Sequence, residues 1–165
     1  MAWNFGDILD AISPVLNQNA PALVHGERRI SWGDFTKRSN NVASGLIERG
    51  TKPGDKLAFY MRNRPEYTEL LAAAFKARLT HVNVNYRYKA DEVHYIFDNS
   101  DAQTVVYGSE FRDIIEEIRP RLTKVKTFLE VSENNDIADF AERYEDLATS
   151  GSGAQLDIKR SPDDM

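Results

Sequence analysis

The sequence contains no cysteine. A disulfide frame, a thiolate nucleophile and a cysteine metal cluster are therefore excluded, and the composition agrees with a reducing compartment. No apolar run approaches the roughly 20 residues that a membrane-spanning helix needs. Histidine is scarce: His25, His81 and His94 lie at separations that match no short metal-ligand spacing, and the sequence supplies no partner that would make any of them an acid or base. An excess of positive charge is also missing. Lys plus Arg number 21 against 26 Asp plus Glu, a net charge of −5, so nothing in the charge balance marks nucleic acid as a partner. The opening residues, Met1 to Ile8, lack a basic region followed by an apolar stretch, and the expectation is a cytoplasmic protein.

What is present is the composition of a folded domain. The 165 residues are 41% hydrophobic, 10% aromatic and 28% charged, enough for one sizeable core. The pattern predicts an opening helix over roughly Phe5 to Leu16 with Ile8, Ile12 and Leu16 on one face. A small hairpin follows, Ala22 to Gly26 against Arg28 to Ile30. Ser31 and Asp34 form a capping-box-like helix start, worth about 1 kcal/mol locally. Phe35, Val42, Leu46 and Ile47 carry that helix to Gly50. After the Pro53-Gly54-Asp55 turn, Lys56 to Met61 reads as a buried strand. Pro65 then opens a helix whose Tyr67, Leu70, Leu71, Ala74 and Phe75 repeat at helical spacing.

Further on, His81 to Val84 is extended and Ala90 to Asn99 is helical, with Val93, Ile96 and Phe97 inward. Thr104 to Tyr107 is a strand, Phe111 to Ile118 a helix ended by Pro120, and Val125 to Val131 another strand. A last helix carries Ile137, Phe140, Tyr144 and Leu147, before the Gly- and Ser-containing stretch Ser150 to Gly153. The alternation of strand and helix from Leu57 onward predicts an α/β fold: a mainly parallel sheet flanked by helices, with a small N-terminal β-hairpin.

Four segments invite a chemical reading. Gly45 to Lys52 resembles a phosphate loop with its last two residues exchanged, but it lies inside and at the end of a helical pattern, where backbone N–H groups are not free. The histidines read as hairpin, strand-end and helix-surface residues. The adjacent carboxylates Asp91-Glu92, Glu116-Glu117 and Asp163-Asp164 do not face the same way on a helix and read as solvated faces and ends. Asn85-Tyr86-Arg87-Tyr88-Lys89 sits between a strand and a helix, where α/β folds place ligands; its Arg can hold a phosphate or carboxylate and its Tyr side chains can stack. No residue emerges as catalytic, cofactor-binding or metal-ligating.

The order of landmarks nevertheless resembles the N-terminal part of an acyl-CoA synthetase of the adenylate-forming, AMP-binding superfamily. The similarity lies in Arg29-Ile-Ser-Trp-Gly-Asp-Phe35, Gly50-Thr-Lys-Pro-Gly-Asp-Lys56, Met61-Arg-Asn-Arg-Pro-Glu66, and Phe75 to Asn85 followed by Glu92, Tyr95-Ile96 and Ser100-Asp-Ala102. Arg78 stands where the family usually has Gly, and Asn83 where it commonly has Pro. The resemblance implies a ligase that joins a fatty or related hydrophobic acid to coenzyme A through an acyl-adenylate, with ATP and Mg2+ as further requirements. It also implies that residues 1–149 are an incomplete α/β subdomain of a larger AMP-binding domain. Residues 150–165, ending in Ser161-Pro-Asp-Asp-Met165, resemble a flexible lead-in to a phosphate-loop region that is missing here. The expectation is a fragment that is itself inactive, binds no cofactor and self-associates through the surface it exposes. Two alternatives are a free-standing, non-catalytic α/β module binding through Asn85 to Lys89, and another adenylate-forming enzyme such as a peptide-synthetase adenylation domain or a luciferase-like protein.

Overall fold

A computed structural model describes residues 3–164. In chain order the elements are α1 (Phe5–Ile12), β1 (Pro21–His25), β2 (Arg28–Ser31), α2 (Trp32–Glu48), β3 (Lys56–Tyr60), α3 (Pro65–Lys76), β4 (Thr80–Asn83), α4 (Ala90–Asn99), β5 (Ala102–Gly108), α5 (Arg112–Ile118), β6 (Thr127–Val131), β7 (Glu142–Arg143) and α6 (Tyr144–Ser150). The chain divides into two compact units. The first comprises Met1–Gly54, Arg64–Thr80 and Leu147–Met165; the second comprises Asp55–Asn63 and His81–Asp146.

In the first unit, β1 and β2 form the expected antiparallel hairpin. The Ser31 hydroxyl accepts the Asp34 N–H at 3.1 Å and donates to the Asp34 carboxylate at 2.8 Å, which starts α2; Phe35, Val42 and Leu46 bury its apolar side. Two expectations fail at buried charges. α1 stops at Ile12, before a short 3-10 turn over Ser13–Val15, and Ile8 and Ile12 are exposed while Gly6 and Asp10 are the buried residues. The reason is a polar anchor. A Cβ at Gly6 would lie 2.9 Å from the Phe75 carbonyl, so only glycine permits this approach to α3. Asn4 caps the helix and donates to the same carbonyl at 3.0 Å, and Asp10 meets the Lys76 ammonium and, at 2.9 Å, the Arg160 guanidinium.

The face of α3 is the second correction. Tyr67, Leu71 and Phe75 are only partly buried, whereas Glu66, Glu69 and Lys76 are buried beside Leu70 and Ala72 to Ala74. Each of those charges has a partner: Arg28 and Arg64 for Glu66, Arg38 for Glu69, and Asp10 with the Asn40 amide oxygen for Lys76. The stretch after α6 is pinned to α2. Asn41 donates to the Ala148 carbonyl and accepts the Gly153 N–H, and Asn40 donates to the Gly153 carbonyl. Arg160 donates to the Lys76 carbonyl at 2.9 Å. Arg78, at the position where the resemblance predicts Gly, has φ 61° and holds Asp164 bidentately at 2.8 and 2.9 Å.

The second unit is built on the sheet, whose strand order is β4-β3-β5-β6-β7. The β3–β5, β5–β6 and β6–β7 pairs are parallel, with Tyr60 beside Tyr107 and Gly108 beside Val131. Ala58, Tyr60, Val105 and Tyr107 point to one face and pack against Val93 and Phe97 of α4 and Ile115 and Ile118 of α5. Each large apolar side chain buried there contributes about 1.5–3 kcal/mol.

The expected helix over Ile137 to Leu147 begins only at Tyr144, and β7, a fifth strand, precedes it. Glu130 explains the departure. Its buried carboxylate accepts the Tyr107 hydroxyl at 2.8 Å, the Ala138 N–H at 3.0 Å and the Arg112 guanidinium at 2.7 Å, and Arg112 also holds Asp136. Residues 136–138 are thereby drawn to the sheet rather than coiled into helix.

Asp10→Ala should destabilise the protein by about 3–5 kcal/mol, because it leaves buried cations without their carboxylate, while Lys76→Met should cost much less. Urea unfolding of the two variants checks this; equal losses would contradict it. At position 78, Arg78→Gly should melt at a higher temperature than Arg78→Ala, since both lose the ion pair and only glycine accepts the positive φ without strain.

Candidate functional site

A sheet of this order has a topological switch point. The chain leaves β3 toward β4 on one side and places β5 on the other, so a crevice opens at the carboxyl ends of β3 and β5, where ligands bind in open α/β sheets. Four short segments of the second unit meet there: Tyr60 to Asn63, the loop Asn85 to Lys89, Gly108, and the 3-10 turn Ser109–Phe111.

Tyr60 is the hub. Its ring lies 4.4 Å from that of Phe111, and its hydroxyl donates to the Tyr88 carbonyl at 2.7 Å, tying the loop to the strand. Burial pushes the Tyr60 phenol above its ordinary pKa, helped by the Glu92 and Glu110 carboxylates. The loop closes on itself through the Tyr88 N–H to the Asn85 carbonyl and the Arg87 N–H to the Asn85 side chain, each at 3.0 Å. Tyr86 packs its ring on the core, and two guanidinium groups stand over it, those of Arg62 at 5.2 Å and Arg87 at 5.6 Å from the ring centre. Both arginines are exposed, and neither has an ion-pair partner among the described residues. Each guanidinium keeps donors with which it can hold an anionic group.

Of these residues, Tyr86, Arg87 and Tyr88 were legible as a candidate loop. Arg62 was legible only as part of a helix entry, because strand order, which brings it beside Tyr86, is not written in local periodicity.

The other sequence candidates stay apart. Gly45 lies within α2 and Gly50 follows its end at φ 85°, so the negative end of the helix dipole lies there and a phosphate is disfavoured. His25 is exposed at the end of β1, His81 stacks on Phe59 and is held below its ordinary pKa by burial, and His94 lies half-buried on α4. Asp91 faces Arg121, Glu92 accepts the Lys89 N–H, Glu116 and Glu117 are exposed on α5, and Asp164 is bound by Arg78. Among the described residues no group of three or more carboxylate or histidine side chains could hold a metal ion. No helix among the described residues is long and apolar enough to cross a membrane.

Comparison with known proteins places this geometry in context. The model of a family described as AMP-binding enzyme matches residues 14–165. A 3-oxocholest-4-en-26-oate–CoA ligase of Rhodococcus rhodochrous is 34% identical over 170 residues, covering 100% of this chain and 30% of that protein. A medium/long-chain-fatty-acid–CoA/3-oxocholest-4-en-26-oate–CoA ligase of Mycobacterium marinum is 31% identical over 173 residues, covering 100% and 31%. The chain thus spans about 30% of the length of these curated relatives. Among solved structures, a Mycobacterium tuberculosis fatty acyl CoA synthetase matches with a TM-score of 0.83 at 24% identity, over 98% of this chain and 31% of that one, a likeness of fold.

The Tyr60 hydroxyl should keep the loop closed. Tyr60→Phe is expected to cost about 1 kcal/mol of stability and to raise amide exchange in residues 85–89. Unchanged exchange there would contradict the role given to the hydroxyl.

Proposed function

The chain belongs to the AMP-binding enzyme family, and on that premise we propose that the whole protein is an ATP-dependent acyl-CoA ligase for a fatty or related hydrophobic carboxylic acid. The observation that carries the proposal is the match to one family model across residues 14–165. The choice of acid is supported by the two relatives above, whose names specify medium- to long-chain fatty acids and a sterol-derived acid. The overall reaction consumes the acid, ATP and coenzyme A and yields the acyl-CoA, AMP and pyrophosphate.

In this reading the described residues are the scaffold side of the enzyme. Residues 1–149 belong to the larger AMP-binding domain, and residues 150–165 lead toward the phosphate-binding region. In the same reading ATP and Mg2+ are held by other parts of the whole protein. The Arg62 and Arg87 guanidinium groups over Tyr86 offer a place for an anionic part of a substrate, with the Tyr60 hydroxyl fixing the loop that carries Arg87. Taken alone, the 165-residue chain is inactive and self-associates through apolar surface that the rest of the protein covers. A cytoplasmic setting suits all three substrates.

Two measurements test this. The whole protein should form AMP only when acid, ATP and coenzyme A are all supplied, with kcat/KM for a medium- or long-chain acid at least about tenfold above that for acetate. AMP formation indifferent to the acid, or none with any acid, would overturn the reading. Calorimetric titration of the 165-residue chain with ATP and magnesium should give no binding tighter than millimolar; micromolar affinity would sink the claim that the chain lacks the nucleotide site.

A further inference from the structure

We propose that the first unit carries a separate cationic site for a phosphate group. A pocket of about 310 Å3 is lined by β2, α2 and α6. Four of the side chains in its wall are cations, Arg28, Arg29, Lys37 and Arg38, against the single carboxylate of Asp34. Two of the four are already committed. Arg38 grips Glu69 with Nε and Nη2 at 2.7 and 3.1 Å, and Arg28 donates Nη2 to Glu66 at 2.8 Å. Glu66 and Glu69 are buried, so opening either pair takes a cation away from a carboxylate held out of water, although Glu66 keeps Arg64.

The remaining two cations have no such duty. The Arg29 guanidinium makes one hydrogen bond, to the Gly26 carbonyl at 3.3 Å, and the Lys37 ammonium makes none among the described residues. Lys37 is nevertheless positioned. The Gly153 backbone packs so closely on its stem that a Cβ at 153 would lie 2.4 Å from Lys37 Cγ. Arg28 keeps Nε and Nη1 available, so three side chains converge with unused N–H donors.

Charge selects the ligand. The two uncommitted cations less Asp34 leave the pocket net positive, so it draws an anion, and guanidinium forks match the oxygens of a phosphate. The pocket has room for a phosphate or diphosphate. The group is either free inorganic phosphate or the terminal phosphate of a nucleotide whose remainder stays in solvent. Asp34, bound to the Ser31 hydroxyl, opposes the anion and gives the site an internal control. The proposal is independent of the ligase reading, and its failure would leave that reading intact.

The test is a heteronuclear NMR titration of the 165-residue chain with inorganic phosphate and then with ADP, at low and constant ionic strength. Saturable shifts confined to residues 28–38 and 148–153 are expected. Arg29→Gln and Lys37→Gln should each weaken binding about fivefold, the scale of one exposed ion pair, and Asp34→Asn should tighten it by a similar factor. ADP binding more tightly than phosphate assigns the nucleotide-borne group; equal affinity assigns the free anion. The proposal is overturned by an absence of saturation at about 20 mM, by unchanged affinity in the Arg29→Gln/Lys37→Gln double variant, or by equal shifts at Arg119, Arg121 and Lys124. Both substituted side chains are exposed, and Asp34→Asn must raise affinity, a result that a damaged fold cannot imitate.

Discussion

Lys76 cannot be buried as a cation without carboxylates, and meeting that requirement organises the first unit. Burial alone pulls its ammonium pKa down, and Asp10 and the Asn40 amide oxygen supply the opposing stabilisation. Asp10 comes from α1, Asn40 from α2 and Lys76 from α3, and Arg160, which pairs with both Asp7 and Asp10, brings in the segment after α6. Four pieces of chain thus converge on one charge cluster. The second unit repeats the device with opposite sign: Glu130 of β6 gathers Tyr107 from β5, Arg112 from α5 and the Ala138 backbone. Burial and the Glu130 carboxylate together push the Tyr107 phenol far up, so it stays a donor to that carboxylate.

These two centres also mark where sequence reading and structure part. The hairpin, α2, the start of α3, α4 and the strands β3, β5 and β6 were legible, because hydrophobic spacing, Ser31, Pro65 and the glycine turns all favour the same local answer. In α1 the spacing sets Ile8 and Ile12 on one face, and periodicity alone does not say that this face is exposed. Here Gly6 and Asp10 are buried instead, and the polar anchor prevails. α3 was assigned a single apolar face, but Glu66, Glu69 and Lys76 are buried with partners remote in sequence. The helix predicted over residues 137–147 was shortened by a carboxylate on another strand. In each case the deciding interaction links residues tens of positions apart, which no local pattern encodes.

The candidate site was half legible for the same reason. Tyr86, Arg87 and Tyr88 announce themselves as a basic and aromatic loop between a strand and a helix. That Arg62 joins them follows only from strand order, since β4 and β5 lie on opposite sides of β3 and open the crevice at its carboxyl end. Arg78 was visible as a departure from the family pattern, and its positive φ shows what the usual glycine accommodates. The resemblance to the family lies in the order of turns and caps along the chain, and the family match across residues 14–165 agrees with it. That order is a property of the scaffold, so it is informative independently of any reacting group.

The central claim is that buried charge centres, not apolar patterning, hold α1 and residues 136–138 in place. Native-state hydrogen exchange on the unmodified chain tests it most directly. The account predicts that the amides of residues 8–12 in α1 and of Ala138 exchange only through openings nearly as costly as those that expose α3 and β5. Fast exchange in α1 and at Ala138, with the cores of α3 and β5 still protected, would contradict it.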